Sequence, residues 1–333
     1  MRLLLATVLA VATLSSTAAA QPIKLRMATP APDGTAWARE GHAFERDIAE
    51  LTHGQVAMKW YLGGIAGSEL TMLDRIRRDQ LDGVASGGML CQKLSPTMRA
   101  LRIPGMFQTR EESAYVTSRL KNALDAEFLK AGFVNLGEIG VGPDIVLSRA
   151  PIASMASLRQ ARLWIWDLDD VFRETLTTMG LTVVPRPLEA AGREYEEGAI
   201  DGFLAVPAAA LAFQWSAETH YYTELRAGFL GGCVLIASRA YDQLSIVGQQ
   251  AVKQSAARAI ARLEEIGREQ DDALLGTLFS KQGLVRVPVD SRFRAEFFAA
   301  AQAGRARFEA AHPELTVVIQ RVLGLLADYR MIH

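Results

Sequence analysis

Histidine, cysteine and positive charge are all in short supply in this 333-residue chain. It has five histidines, two cysteines, and 36 Lys and Arg against 37 Asp and Glu. Without a cationic surplus or a Lys/Arg-rich run, nothing tracks a phosphate backbone, and no nucleic-acid partner is expected. His42, His53, His220, His312 and His333 stand in no H-E-x-x-H or Cys/His spacing, so no metal site is expected either. The chain has no G-x-S-x-G elbow, no G-x-G-x-x-G turn and no P-loop, the local signatures of serine hydrolases, dinucleotide enzymes and nucleotide-phosphate enzymes. Glu196-Glu197 and the acids Asp167, Asp169 and Asp170 read as helix caps and solvated faces rather than paired catalytic carboxylates. A non-enzymatic protein without a cofactor is the expectation.

Long apolar runs are also missing beyond the first twenty residues, MRLLLATVLAVATLSSTAAA. There Arg2, an apolar stretch from Leu3 to Leu14, and Ala18 and Ala20 at an A-x-A site have the layout of a signal peptide over 1–20, with Gln21 as the mature start. No cysteine follows the cleavage site, and no later segment offers about 18 apolar residues in a row. An exported, periplasmic protein that is not itself embedded in a membrane is expected. Cys91 and Cys233 lie far apart, in the apolar, glycine-flanked stretches GGMLCQ and GGCVLI. They read as buried free thiols in preference to a disulfide, since nothing in the sequence brings their Cα atoms within bridging distance.

What is present is a repeated α/β layout. IKLRMAT alternates like a strand and is followed by a turn and a helix from Trp37 to Leu51; GQVAMKWYL is a second strand. GSELTMLDRIRRDQ has helical spacing with Ser68 as N-cap, and LDGVASGG leads into a short apolar run. The order returns as RLWIWD, a helix over DDVFRETLTTMG, LTVVPR, a helix over LEAAGREYEEG, and AIDGFLAVP. Two similar α/β lobes follow from this repeat. Asp82-Gly83 and Asp201-Gly202 read as turns without a ligand role. They deliver the chain to the carboxyl ends of strands, where ligands of open α/β sheets sit, so Ser86, Gly87, Gly88 and Ala205 to Pro207 fall at the expected cleft edge. From 245 to 281 an apolar stripe, interrupted by Gln270, predicts a helix of about 50 Å, long enough to span both lobes. The C-terminal stripe of Leu315, Val318, Ile319, Val322, Leu325 and Leu326 is expected to pack on its own chain, a dimer contact being the other reading.

The segment RLWIWDLDD puts Trp164 and Trp166 on one face of a strand, together with Arg162. On periodicity alone such a pair reads as core.

In order and spacing, KLRMATPAPDGTAW, GGIAGSELTMLDRIRRDQLDG, IPGMFQTREES, LRQARLWIWD, VVPRPLE…GAIDG and the long late helix resemble the solute-binding subunits of tripartite ATP-independent periplasmic (TRAP) transporters, the DctP-like family. The resemblance runs over nearly all of the mature chain. It implies a two-lobed periplasmic-binding-protein fold, each lobe a mixed sheet flanked by helices and braced by a long helix, that closes over a small ligand and delivers it to TRAP membrane permease subunits. The expected division is 21–145 plus about 232–250 for lobe I, and 146–231 plus part of the C-terminal region for lobe II. The spanning helix takes about 245–281 and the C-terminal helices 290–333, with hinges near 141–148 and 230–238.

Most of the family carries in the LRQARLWIWD segment an arginine that pairs with a substrate carboxylate; here that position is Trp164. A second arginine position falls on Pro143, with Asp144 beside it, and a usually polar stretch after the DG pair is Phe203, Leu204 and Ala205. With Trp166, Phe213 and Trp215 these changes imply a neutral or mainly apolar ligand, its polar handle held by Ser86, Asp167 or a main-chain amide. Trp37 and Glu69, with Trp215, are assigned as support. The alternative is a carboxylate held by Arg162 or Arg186, or a ligand-sensing protein that signals to a receptor.

Overall fold

The computed structural model describes residues 21–333. The expected signal peptide lies outside the described residues. Among the described residues eleven strands form two sheets: β1 (Ile23–Ala28), β2 (Val56–Tyr61), β3 (Gly83–Ser86), β4 (Phe133–Pro143), β5 (Ile145–Ser148), β6 (Arg162–Trp166), β7 (Thr182–Arg186), β8 (Gly202–Ala205), β9 (Tyr221–Thr223), β10 (Phe229–Ala237) and β11 (Val285–Val287). The first lobe's sheet runs β2-β1-β3-β10-β4 and the second's β11-β9-β5-β8-β6-β7. Each contains the same four-strand block. In β2-β1-β3-β10 the first three are parallel and the fourth antiparallel, and β7-β6-β8-β5 repeats that pattern. Pro185 fits within β7 because that strand is the sheet's edge, where a missing N–H leaves no ladder bond broken.

The repeat extends to individual atoms. Asp82 accepts from the Arg26 main-chain N–H at 2.8 Å and from its Nε and Nη2 at 2.8 and 2.9 Å, while Nη2 also donates to the Asp79 carbonyl. In the second lobe Asp201 accepts from the Arg162 N–H at 2.9 Å and from Nε and Nη2 at 3.0 and 2.6 Å, with Nη2 donating to the Gly198 carbonyl. Each DG aspartate thus staples the start of its own strand to an arginine on the neighbouring parallel strand. The glycine after it is equally constrained: a Cβ would lie 2.4 Å from the Leu235 carbonyl oxygen at Gly83, and 2.2 Å from that of Leu147 at Gly202. These are contacts with the antiparallel fourth strand that no side chain tolerates.

Two extended segments cross between the lobes. β4 passes through Asp144 into β5, and the chain before β10 returns alongside it; Asp144 N–H donates to the Gly228 carbonyl at 2.8 Å and Ala227 N–H to that of Asp144 at 2.9 Å. A third crossing is the helix Ile246–Ala273, N-capped by Ser245 and continued through a π turn (Leu274–Leu278) to Lys281. Its first part packs on β4 and the helix Ala36–Leu51 of the first lobe. The π turn reaches the second, where the Tyr222 hydroxyl donates to the Leu275 carbonyl at 3.0 Å and its ring meets Phe279. The helix Ser291–Ala311 then packs on the second lobe, and Thr316–Ile332 buries Ile319, Val322 and Leu326 in the first, so this stripe does pack on its own chain.

Cys91 and Cys233 form a disulfide, with Cα atoms 6.0 Å apart, which corrects the expectation of free thiols. The physical reason is tertiary. β10 comes from far along the chain to pair antiparallel with β3, setting Cys233 opposite Ser86, and the helix Met89–Leu94 that follows β3 carries Cys91 back over that strand.

Candidate functional site

A cavity of about 420 Å³ lies between the sheets, at the carboxyl ends of the parallel strands. The first lobe supplies Thr29 after β1, and Ser86 and Gly87 at the end of β3. The second supplies Ile165 and Trp166 at the end of β6, and Leu204 to Val206 at the end of β8. This is the crevice that open α/β sheets reserve for ligands.

One wall is aromatic. Trp164 is 3% exposed, and its Nε1 donates to the Arg186 carbonyl at 3.1 Å. Its ring lies 4.9 Å from that of Trp215, which stacks on Phe203 at 4.7 Å with 3° between the planes and on Phe213 at 5.4 Å. Trp166 and Trp37 complete the apolar lining half-buried. The indole N–H of Trp164 is therefore already satisfied by the protein, and what this side chain presents to the cavity is ring surface.

Several residues singled out in sequence lie outside the wall. Phe203 backs Trp215 from the core. Glu69 is fully buried behind the wall, where Ser86 Oγ donates to it at 2.7 Å and the N–H groups of Gly87 and Leu90 at 2.5 and 2.7 Å; it pins the loop after β3. Burial raises its pKa, and those hydrogen bonds oppose the shift. Gly88 is a conformational requirement, with φ +127° and a Cβ position 2.7 Å from the Gly231 carbonyl oxygen. Pro143 ends β4 in register with Phe229, and the lining comes from Val141 and Asp144 on either side. Pro207 opens the helix Pro207–Ala212, which presents Ala208 and Ala209 instead. Asp167 bonds through its N–H to the Arg186 carbonyl and is not in the wall; its pKa is raised by partial burial and by Glu189.

The two arginines considered for a ligand carboxylate are both committed elsewhere. Arg162 is stapled to Asp201, and Arg186 bonds Glu194 through Nε at 3.2 Å; neither lines the cavity. Two other arginines line it, Arg39 at the exposed rim and Arg102 in the interior, and neither was singled out. Arg102, directly after the helix Pro96–Leu101, is buried, with its Nη1 and Nη2 on Asp144 and its Nε on Asp169 Oδ2 at 2.7 Å. Its guanidinium carbon lies 3.7 Å from the centroid of the Phe172 ring. Asp169 in turn N-caps the helix Asp170–Thr178, accepting from the Phe172 N–H at 3.2 Å. Burial pushes the Asp144 carboxyl up, against the pull of the Arg102 charge. Gln270, which lines the cavity from the long helix, was also missed; its signal was the break it makes in the apolar stripe.

The pattern of the bacterial extracellular solute-binding proteins, family 7 (DctP), matches residues 27–311. The chain belongs to this family. A solute-binding protein of Roseobacter denitrificans is 25% identical over 258 residues, 77% of this chain and 79% of that one. The crystal structure of a TRAP periplasmic solute-binding protein from the same organism, with bound L-galactonate, superposes with a TM-score of 0.78 at 20% identity, covering 90% of this chain and 99% of that one. DctP7 of Bordetella pertussis, an extracytoplasmic solute receptor binding pyroglutamic acid, gives 0.82 at 17% identity over 91% and 99%. The DctP chain therefore has a two-lobed TRAP receptor fold, and its relatives are transport solute-binding proteins rather than enzymes. Among its described residues no helix is long and apolar enough to cross a membrane.

Proposed function

We propose that this DctP protein captures a neutral or mainly apolar small molecule in the periplasm and delivers it to a TRAP membrane permease. The observation that carries the ligand class is the state of Arg102. A guanidinium that receives a ligand carboxylate must have an edge free for two parallel hydrogen bonds. Here Asp144 takes one edge and Asp169 the Nε of the other, so the cavity's buried cation is already compensated by two acids. Arg39, at the rim, is exposed to solvent and donates to the Gly34 carbonyl, which leaves its charge screened by water. The acids bound by the Roseobacter and Bordetella proteins belong to chains of 20% and 17% identity, too distant to carry a ligand across.

We take the moving units to be the two lobes as divided above, turning about the paired backbone of Asp144 with Ala227 and Gly228. A panel of melting temperatures on ligand-stripped protein tests the reading. L-galactonate and pyroglutamate are set against neutral aromatic amides and alcohols, and a ligand at 100 times its Kd adds about 2.7 kcal/mol. Stabilisation by neutral aromatics alone is the expected result; stabilisation by the acids overturns the ligand class.

A further inference from the structure

Resting on the ligand class just proposed, we infer that Asp169 is a specificity-determining residue. It is a built-in carboxylate that masks Arg102 and turns anionic ligands away from a cavity otherwise able to bind them.

The geometry separates the two acids. Asp144 is part of the crossing backbone and takes the Nη1/Nη2 edge of Arg102 in a two-point contact. That pair is charge-balanced by itself. Asp169 comes from the opposite lobe and adds a second negative charge on Nε. Both it and Arg102 line the cavity, so the edge it occupies borders the ligand space. Asp169 sits where a ligand carboxylate would meet the Nε/Nη2 edge, and its charge makes the cluster negative by one. An incoming anion meets both an occupied edge and a net repulsion. Phe172 covers one face of the guanidinium, which leaves the edge held by Asp169 as the place where an anion would gain most.

Asp169 has a second duty as N-cap of the helix Asp170–Thr178, through its other oxygen. Serine is as good a cap and has no second oxygen, so Asp169→Ser keeps the helix start while opening the edge. Asp169→Asn keeps the size and removes the charge alone.

The test compares two ligands with the same body, indole-3-acetate and its neutral isostere indole-3-acetamide, by calorimetric titration. Wild type is to be measured beside Asp169→Ser, Asp169→Asn and Asp169→Ser/Arg102→Gln, each checked for folding by circular dichroism. Wild type is expected to prefer the amide. In Asp169→Ser the acid-to-amide affinity ratio should rise at least tenfold, and the gain should vanish when Arg102 is also replaced; Asp169→Asn should give a smaller rise. A folded Asp169→Ser whose ratio moves less than threefold, or that fails to bind the acid, overturns the mask while leaving the neutral-ligand reading in place. A wild type that prefers the acid overturns that reading itself.

Discussion

The Cys91–Cys233 bond joins residues 142 positions apart, and removing it in Cys91→Ala/Cys233→Ala frees the unfolded chain of a very long loop constraint. The chain-entropy relation, evaluated for a loop of this size, gives about 5 kcal/mol of lost stability at 25 °C. Both sulfurs are buried where the helix after β3 packs on β10, so the alanine pair also removes packed atoms and the entropic figure is not offset by relief of exposure. With a urea slope of about 3 kcal/mol per molar for a chain of this length, the midpoint should fall by about 1.7 M. The assay is urea unfolding followed by tryptophan fluorescence and far-ultraviolet circular dichroism, with free thiols titrated in the denatured wild type. Two reactive thiols in the wild type would remove the bond itself. A bonded wild type whose midpoint lies within about 0.3 M of the variant's would refute the loop argument, since it is the unfolded state that the bond is held to restrict.

The two DG staples have the same bonds but different burial, and they should separate by stability. Asp82, whose side chain is 7% exposed, serves both Arg26 and Arg239, so Asp82→Ala should cost about 3 kcal/mol, whereas Asp201→Ala, at 37% exposure, should cost less than about 1 kcal/mol by thermal unfolding. Burial works to raise the Asp82 pKa and the Arg26 contacts outweigh it, so the group is held below its ordinary range; its contribution is present above about pH 4 and lost as pH falls further. Asp271 should behave in the opposite sense. Burial, aided by Asp272 and opposed by Arg110 and Arg226, pushes it from 3.8 up to about 6, so the folded state holds the extra proton and stability declines as pH rises through that window. The decline amounts to about 3 kcal/mol at 1.36 kcal/mol per pH unit, and Asp271→Asn should be flatter than wild type by about that amount when unfolding is followed from pH 3 to 7.

Most of the fold was legible because it is written twice. The strand–helix–strand–helix order and the two DG pairs recur at matched places, and the long stripe from 245 to 281 is a local pattern that needs no tertiary partner to be seen. The repeat already argued against the alternative of Arg162 as a carboxylate holder: IKLRMA and ARLWIW both carry an arginine on the first strand of the block, and each is taken by the aspartate of its own DG pair. Trp164 stood out because the family resemblance puts an arginine at its position, yet its indole N–H proved to belong to a neighbouring strand's carbonyl. Arg102 was hidden by its surroundings. In MRALRIPGMF it resembles a stray charge at a helix end, and its partners Asp144 and Asp169 lie 42 and 67 residues away. The disulfide was unreadable for the same reason, since antiparallel pairing of β10 with β3 is a choice the whole sheet makes.

The masked arginine and the aromatic wall bear on one another through lobe closure. Arg102 stands in the first lobe and Asp169 in the second, so their contact closes one end of the cavity without any ligand. In a receptor whose arginine awaits a carboxylate, the ligand supplies the countercharge that makes burying the guanidinium tolerable; here Asp144 and Asp169 supply it. On the proposed reading, ligand charge then has no part in closure, and the energy that distinguishes the occupied from the empty cavity comes from apolar area. Covering about 120 Å² of the apolar wall, to which Trp37 and Trp166 contribute their half-buried rings, is worth about 3 kcal/mol at 25 cal/mol per Å², more than a hundredfold in affinity. An additional ligand carboxylate placed about 5 Å from the net negative cluster would lose about 3 kcal/mol at an effective dielectric of 20, enough to cancel that gain. On that reading the aromatic surface selects the ligand because the charge beside it is already spoken for.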